Sequence, residues 1–265
     1  MRAPDLERSG LSPYHSLFAI LDPILMPPDL LNKRVLLVTG AGSGLGRAAA
    51  LAFARHGATV ILLGRTVGKL EGLYDDIVAA GGAQPAIFPV DLSAATDDNF
   101  DAIAQAITHQ LGRLDGILHC ATEFDRLSPL EQECLEEWLR LFRVNAAVPA
   151  AINRSCSALL AASAASVVLV GESHGHAPVA YWGGYAVSKA ALEAYFKVQA
   201  DEWSDAPMRI NLYTPGPMHS PLSMKTHPGE DKSLLPTCED IAARLVWLMG
   251  PESREIRGQS IAGPA

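Results

Sequence analysis

The sequence predicts an α/β fold, a doubly wound α/β/α sandwich of three layers with a mostly parallel sheet of about seven strands. Two observations predict it. From residue 33 onward, short apolar runs alternate with helical segments. The apolar runs are continuous, as in strands that helices cover on both faces of a parallel sheet. Right-handed crossovers between such strands produce the doubly wound topology.

The first half of the chain is predicted to hold four strands and three helices. Strands fall at residues 34–39, 58–63, 86–90 and 114–121, and helices at 47–56, 67–80 and 99–110. Gly57 and Gly81 directly follow two of these helices. Glycine commonly ends a helix because it adopts the left-handed backbone conformation readily.

The second half continues the alternation. Strands are predicted at residues 166–170, 209–213 and 260–261, and helices at 131–161, 183–203 and 239–249, the first of them interrupted near Pro149. Thr237 and Asp240 flank the start of the last helix as a capping box with Asp in the Glu position. No linker divides this pattern, so we predict one domain over residues 29–265, preceded by an irregular extension over residues 1–28.

Composition and charge exclude several kinds of protein. Hydrophobic residues make up 49% of the 265 residues and charged residues 19%, which suits a chain with a large core and not a disordered one. The net charge of −8 and the lack of a basic run argue against nucleic-acid binding. No apolar run reaches the ~20 residues of a membrane span, and no basic segment opens a signal peptide. Four cysteines without metal-ligand spacing suggest reduced thiols, so we expect a cytoplasmic protein without a bound metal.

A glycine-rich turn joins the first predicted strand to the first helix. Gly40, Gly44 and Gly46 lie in this turn, with Ser43 and Leu45 between them. Glycines permit a tight turn and a close approach of the backbone to a pyrophosphate, and the following helix directs its free N–H groups at the anion. The turn therefore predicts a Rossmann-type dinucleotide site, the alternative being glycines that serve only the turn.

The residues after the second and third strands indicate which dinucleotide is bound. Sites for NAD usually place an acidic residue at the end of the second strand, but Arg65 and Thr66 stand here, with Lys69 nearby. Cations suit a ribose 2′-phosphate, so NADP(H) is predicted in preference to NAD(H), which stays possible. After the third strand, the Asp91 carboxylate is predicted to accept from the adenine amino group, unless Asp91 is only a turn residue. The adjoining Leu92 is also predicted to contact the cofactor.

Tyr185 and Lys189 are spaced i, i+4 in the helix predicted over residues 183–203. They therefore lie on one face, one turn apart. An ammonium close to the phenol favours the phenolate and would lower the pKa of Tyr185. The pair is a candidate for acid–base chemistry near neutral pH.

Together these features resemble the short-chain dehydrogenase/reductase family over residues 30–262. Several segments are similar to its bacterial YciK-like branch. The motifs that carry the resemblance lie in the family's order along the chain: Thr39-Gly40-x-x-x-Gly44-Leu45-Gly46, Asn145, Ser173, Tyr185-x-x-x-Lys189, Pro215-Gly216 and Ser220.

The resemblance implies a role for each matched residue. Tyr185 is the general acid in carbonyl reduction and the base in alcohol oxidation. Lys189 lowers its pKa and binds the nicotinamide ribose, while Ser173 holds the substrate oxygen. Asn145 fixes a water that links Lys189 to solvent. Further cofactor contacts are implied for residues after the fourth and sixth strands: Ala121, Thr122, Pro215, Gly216 and Ser220.

Two segments depart from the family pattern. The family has Asn-Asn-Ala-Gly after the fourth strand, where this chain has His119-Cys120-Ala121-Thr122. The change removes an Asn that ties neighbouring strands together and a Gly beside the cofactor. Glu172 stands where the family has the first serine of a Ser-Ser pair. Its carboxylate either alters the electrostatics of the site or points away from it, and we favour the second.

The resemblance implies an oxidoreductase that transfers hydride between NADP(H) and a carbonyl or secondary alcohol. A non-catalytic sensor that binds NAD(P) on the same fold is the alternative, which the altered residues 119–122 keep open. A sugar-nucleotide epimerase is disfavoured because the chain lacks room for a large substrate domain. The expected partners are a small-molecule carbonyl or alcohol and further copies of the chain in a homodimer or homotetramer, with no nucleic acid or membrane.

Overall fold

A computed structural model describes residues 26–263. Its centre is a seven-stranded sheet in the order β3-β2-β1-β4-β5-β6-β7, in which every neighbouring pair is parallel. The strand order reverses between β1 and β4, the point at which open α/β sheets bind ligands. The strands are β1 (Val35–Thr39), β2 (Thr59–Gly64), β3 (Ala86–Pro89), β4 (Gly116–His119), β5 (Ser166–Val170), β6 (Arg209–Thr214) and β7 (Ser260–Ala262).

Helices cover both faces of the sheet. They are α1 (Gly44–Arg55), α2 (Val67–Ala79), α3 (Asp97–Gln110), α4 (Leu135–Phe142), α5 (Val148–Ser155), α6 (Ser157–Ala162), α7 (Ser173–His176), α8 (Gly183–Glu202), α9 (Pro221–Thr226) and α10 (Cys238–Met249). A π-helical turn, Arg143–Ala147, joins α4 to α5, and short 3-10 helices lie at Leu130–Gln132, Lys232–Leu234 and Pro251–Ser253.

The core consists of two apolar layers, one on each face of the sheet. Along β1, Leu36 and Val38 pack in the layer of α1 and α10, whereas Val35 and Leu37 pack in the layer of α3, α5 and α8. Side chains alternate between the faces of a strand, so a strand covered on both faces must be apolar at every position. This is why the strands read as continuous apolar runs.

The predicted fold is confirmed, with differences at element boundaries. The region 131–161 is three helices separated by the π-helical turn and Cys156. Its break precedes Pro149, which lies in the first turn of α5, where proline's missing N–H is not needed. The short helices α7 and α9 have too few residues for a periodic pattern and were not predicted. The Thr237–Asp240 capping box is present.

Most of the predicted extension over residues 1–28 lies outside the described residues. Leu30 and Leu31 are already buried in the core, and the Leu31 backbone N–H donates to the His56 carbonyl at 2.9 Å. Within residues 26–263, no helix is long and apolar enough to cross a membrane.

Candidate functional site

The glycine-rich turn lies at the carboxyl end of β1, where the strand order reverses. Gly40 and Gly44 have φ of +70° and +53°, a region that glycine occupies without strain. Ser43 is the N-cap of α1, and its side chain makes no capping hydrogen bond. The first N–H groups of a helix have no partner within the helix, so α1 is suited to bind an anion here.

An open cleft runs from this turn across the carboxyl ends of β2, β3 and β4. Eight predicted cofactor residues line it: Gly40, Ser43, Arg65, Thr66, Asp91, Leu92, Ala121 and Thr122. Further lining residues include Gly42, Gly64, Lys69, Val90, Ser93, Glu123 and Val144. Leu45 and Gly46 do not line the cleft but are buried behind the turn. The structure therefore brings the predicted nucleotide residues of four separate segments to one surface.

One wall of the cleft is cationic. Among residues 26–263, neither Arg65 nor Lys69 forms an ion pair. Asp91 accepts hydrogen bonds from the Ser93 backbone N–H at 3.0 Å and its hydroxyl at 2.7 Å. These bonds, and to a smaller extent Arg65, lower the pKa of Asp91. Asp91 is thus the turn residue of the alternative interpretation while it also lines the cleft, and its contact with adenine stays a prediction.

The altered segment after β4 is held in place by Thr39. Its Oγ1 accepts from the backbone N–H groups of Cys120 and Ala121, both at 3.1 Å. Gly40 also lies directly against the Ala121 backbone, which a Cβ at position 40 would approach to 2.8 Å. Thr39 therefore ties β1 to this segment without the family's Asn. Thr39 belongs to the glycine-rich motif, but its place in the sequence gives no sign of this role.

His119 points away from the cleft into the helical layer. Its Nε2 lies 2.9 Å from the Asn153 Oδ1, and Asn153 donates to the Tyr195 hydroxyl at 2.8 Å. Burial lowers the pKa of His119 to about 4, so its ring is neutral at physiological pH. This histidine is part of the packing between β4, α5 and α8.

Asn145 lies in the π-helical turn and is fully buried. Its Nδ2 donates to the Glu123 carbonyl and to the Ser188 Oγ, both at 2.9 Å, and its Oδ1 accepts from the Glu123 N–H at 2.8 Å. Asn145 thus clamps the segment after β4 to α8. π-helical turns are common at functional sites. The contact of Asn145 with a water stays a prediction.

Tyr185 and Lys189 lie side by side on α8, as predicted, and each is 3% exposed. The Lys189 Nζ donates to the Val170 carbonyl at 3.1 Å and lies 6.0 Å from the centroid of the Tyr185 ring. Phe124 packs edge-on against that ring, with centroids 5.2 Å apart. The carboxylate of Glu133 accepts from the Gly184 N–H at 2.9 Å and so caps the start of α8. The pair therefore sits at the well-anchored first turns of a long helix.

Ser173 begins α7, directly beside the pair. α7 packs so closely on α8 that a Cβ at Gly175 would lie 2.8 Å from the Cβ of Lys189. Between them stands Glu172, whose Oε1 accepts from the Ser173 Oγ at 2.9 Å and whose Oε2 accepts from the Tyr185 hydroxyl at 3.4 Å. The interpretation that Glu172 points away from the site is wrong: its carboxylate bridges the two hydroxyls.

The pKa of Tyr185 is raised well above 10 by burial, by the negative charge of Glu172 and by the hydrogen bond to it. The direction is opposite to the one expected from Lys189 alone. Burial lowers the pKa of Lys189, while the charges of Glu172 and Cys120 oppose that change. The phenol of Tyr185 is therefore a proton donor across the physiological range.

An aromatic wall adjoins the Tyr185 hydroxyl. Trp182 stacks on His174 with ring centroids 3.6 Å apart and planes 11° apart. Trp182 also contacts Tyr185 and His227, each at 5.9 Å between centroids. The Nδ1 of His174 lies 3.3 Å from the Glu172 Oε1. His174 is thus a polar residue of this wall.

The segment after β6 completes the edge of the site. Gly216 follows Pro215 with φ of +76°, a turn that suits glycine. Ser220 is the N-cap of α9, and its Oγ accepts from the Ser223 N–H at 3.1 Å. Contacts of Pro215, Gly216 and Ser220 with a carboxamide stay predictions.

Comparison with known proteins agrees with the predicted family. The family model described as short chain dehydrogenase matches residues 34–231. The chain is 39% identical to the uncharacterized oxidoreductase YciK of Escherichia coli K12 over 233 residues, which are 88% of this chain and 92% of that protein. The predicted similarity to the YciK-like branch is confirmed.

Solved structures give the same result. A short chain dehydrogenase of Shigella flexneri 2a, complexed with NADP, superposes with a TM-score of 0.86 at 37% identity, covering 89% of this chain and 99% of that one. A short chain dehydrogenase of E. coli CFT073, complexed with NADPH, has the same TM-score, identity and coverage.

Proposed function

Because the chain belongs to the short-chain dehydrogenase family, we propose that it is an oxidoreductase that transfers hydride between NADP(H) and a carbonyl or secondary alcohol. One observation carries the proposal. Ser173, Tyr185 and Lys189 converge beside a nucleotide cleft with a cationic wall. The proposal includes a cytoplasmic location, suggested by the cysteine pattern, and a homodimer or homotetramer, implied by the family resemblance.

The residues of the cleft fit NADP(H). Arg65 and Lys69, which form no ion pair in the described part of the chain, would hold the 2′-phosphate with the Thr66 hydroxyl. The glycine-rich turn and the start of α1 would hold the pyrophosphate. Two relatives of the same fold are complexed with NADP and NADPH, which supports this assignment.

The bound nicotinamide would supply or accept the hydride. In reduction, Tyr185 donates its phenolic proton to the carbonyl oxygen while the carbonyl carbon gains the hydride. Ser173 donates a hydrogen bond to the same oxygen and orients it. The ammonium of Lys189 stabilises the phenolate that remains on Tyr185. Oxidation of the alcohol follows the same steps in reverse.

The non-catalytic alternative depended on the altered residues 119–122. That Thr39 holds this segment against β1 supports the oxidoreductase over the sensor. A screen of ketones and aldehydes tests the proposal. Hydride transfer from NADPH to a carbonyl is measured as the loss of NADPH absorbance. Binding of NADPH without turnover of any carbonyl would contradict it.

Replacement of Arg65 with Ala is expected to weaken NADPH binding by about tenfold or more, because one charge-assisted contact with the 2′-phosphate is lost. NADH has no such phosphate, so its affinity is expected to stay unchanged. Titrations followed by nicotinamide fluorescence measure both. Arg55→Ala, which removes an exposed arginine at the far end of α1, is the matched control. Equal losses for both cofactors would contradict the assigned role.

Glu172→Gln is expected to shift the pH dependence of both reactions to lower pH. Glu172 helps to raise the pKa of Tyr185, so removing its charge lowers that pKa. Reduction needs the protonated phenol and declines as the pH rises through that pKa, whereas oxidation needs the phenolate and increases there. The decline of reduction and the increase of oxidation therefore both shift to lower pH. Profiles of kcat/KM in the two directions measure the shift, and unchanged profiles would contradict the electrostatic role of Glu172.

A further inference from the structure

The carboxylate of Glu172 accepts hydrogen bonds from the two hydroxyls that the proposed reaction needs. Ser173 donates at 2.9 Å and Tyr185 at 3.4 Å, and the Nδ1 of His174 lies at 3.3 Å. The stack of His174 on Trp182 fixes the position of that third partner. The Glu172 side chain is 23% exposed, so water reaches only part of it.

A substrate carbonyl competes with Glu172 for these donors. Each hydroxyl has one proton, and a carbonyl oxygen accepts without donating. When Ser173 and Tyr185 turn to the substrate oxygen, Glu172 loses both hydrogen bonds. The ammonium of Lys189 does not replace them in the described structure, since its Nζ donates to the Val170 carbonyl. His227 lies beyond Trp182. A largely buried carboxylate that keeps only its contact with His174 is short of donors, which is unfavourable.

We propose that Glu172 is a specificity-determining residue that selects carbonyl substrates with a hydroxyl on the neighbouring carbon. This inference rests on the proposed function and names its substrate class: α-hydroxy ketones or aldehydes in reduction, vicinal diols in oxidation. The substrate hydroxyl donates to Glu172 and restores a hydrogen bond that the carbonyl has taken. A simple ketone of the same shape leaves the carboxylate short of donors. Sites built around such a pairing discriminate strongly against the analogue without the hydroxyl.

Matched ketone pairs test the proposal with NADPH as the reductant. The probes are 2-hydroxycyclohexanone against cyclohexanone, and 2-hydroxyacetophenone against acetophenone, whose ring suits the aromatic wall. For the wild-type protein, kcat/KM is expected to favour the hydroxy member by about tenfold or more. In Glu172→Ser and Glu172→Gln the preference is expected to fall to within about threefold, since both remove the carboxylate. Comparing the change in the ratio cancels the intrinsic reactivity of each ketone.

Glu193→Gln is the matched control, because this carboxylate pairs with His176 at the end of α7, whereas the Tyr185 hydroxyl bonds to Glu172. The preference of the Glu193→Gln protein for the hydroxy ketones is expected to equal that of the wild type. A hydroxy preference that survives in both Glu172 variants, or that is absent from a wild-type protein which reduces the simple ketones, would overturn the inference and leave the proposed function intact. Failure of NADPH-loaded protein to reduce any of these probes would overturn the inference, and failure in the ketone and aldehyde screen as well would overturn both.

Discussion

Tyr185→Phe is expected to lower kcat/KM for carbonyl reduction by about a thousandfold while NADPH binding and the fold persist. A positioned general acid contributes roughly 10²–10⁴-fold to the rate. Phenylalanine keeps the edge-on contact with Phe124 at 5.2 Å between ring centroids and the tilted contact with Trp182 at 5.9 Å. It removes only the hydroxyl that faces Glu172. The loss therefore belongs to proton transfer.

Steady-state kinetics and an NADPH titration of the same preparation measure the two expected results. Tyr195→Phe is the matched control, because this phenol lies on the same helix and bonds to Asn153 and Gln199 instead of the site. It is expected to retain activity and to reduce the free energy of unfolding by about 1 kcal/mol. Near-normal turnover by Tyr185→Phe would contradict the acid role of Tyr185.

Sequence alone was sufficient to predict the sheet and the nucleotide surface. Gly40, Arg65 and Asp91 each follow a predicted strand, and parallel strands bring their carboxyl ends to one edge, so residues distant in the chain meet there. Tyr185 and Lys189 were equally predictable, because helical spacing places i and i+4 on one face. In both cases backbone periodicity determines the position.

The electrostatics of the site were not predictable in the same way. Glu172 lies between β5 and the short helix α7, where no repeating pattern fixes the direction of a side chain. Its orientation follows from the packing of Gly175 on Lys189 and of His174 on Trp182. The effect on Tyr185 depends on that orientation: burial and the facing carboxylate raise its pKa, whereas the Tyr-x-x-x-Lys spacing predicts a lower one. Sequence spacing identifies the residues of a site, whereas tertiary packing determines their pKa values.

The structural roles of Thr39 and Asn145 were also not predictable from the sequence. Both belong to motifs recognised in the sequence, yet the structure uses their side chains to hold the segment after β4. That segment lines the cleft through Ala121 and Thr122. Thr39 and Asn145 therefore support the cleft from behind, through hydrogen bonds to main-chain groups of residues 120, 121 and 123 that do not depend on the side chains present there.

Gly46→Ala is expected to reduce the free energy of unfolding by about 3 kcal/mol, in the range of strong overpacking, and to abolish NADPH binding. A Cβ at this position would lie 2.4 Å from the Gly40 carbonyl oxygen and 2.9 Å from its carbon. Both are backbone atoms, and Gly40 is itself held against the Ala121 backbone. The glycine-rich turn cannot move aside without separating β1 from the segment after β4. Urea unfolding and NADPH titration measure the two losses.

Gly42→Ala, in the same turn, distinguishes an effect on stability from an effect on cofactor binding. Its Cβ would meet only the Lys69 side chain at 3.4 Å and the Leu70 side chain at 4.0 Å, so stability is expected to stay within about 0.5 kcal/mol of the wild type. Gly42 lines the cleft, however, and a methyl group there would obstruct the cofactor. A stable Gly42→Ala protein with weakened NADPH binding would show that the cleft is the nucleotide site. Gly72→Ala on α2, with open space around its Cβ, is the control and is expected to change neither cofactor binding nor the fold. Undiminished NADPH affinity in the Gly42 variant would mean that the nucleotide binds elsewhere.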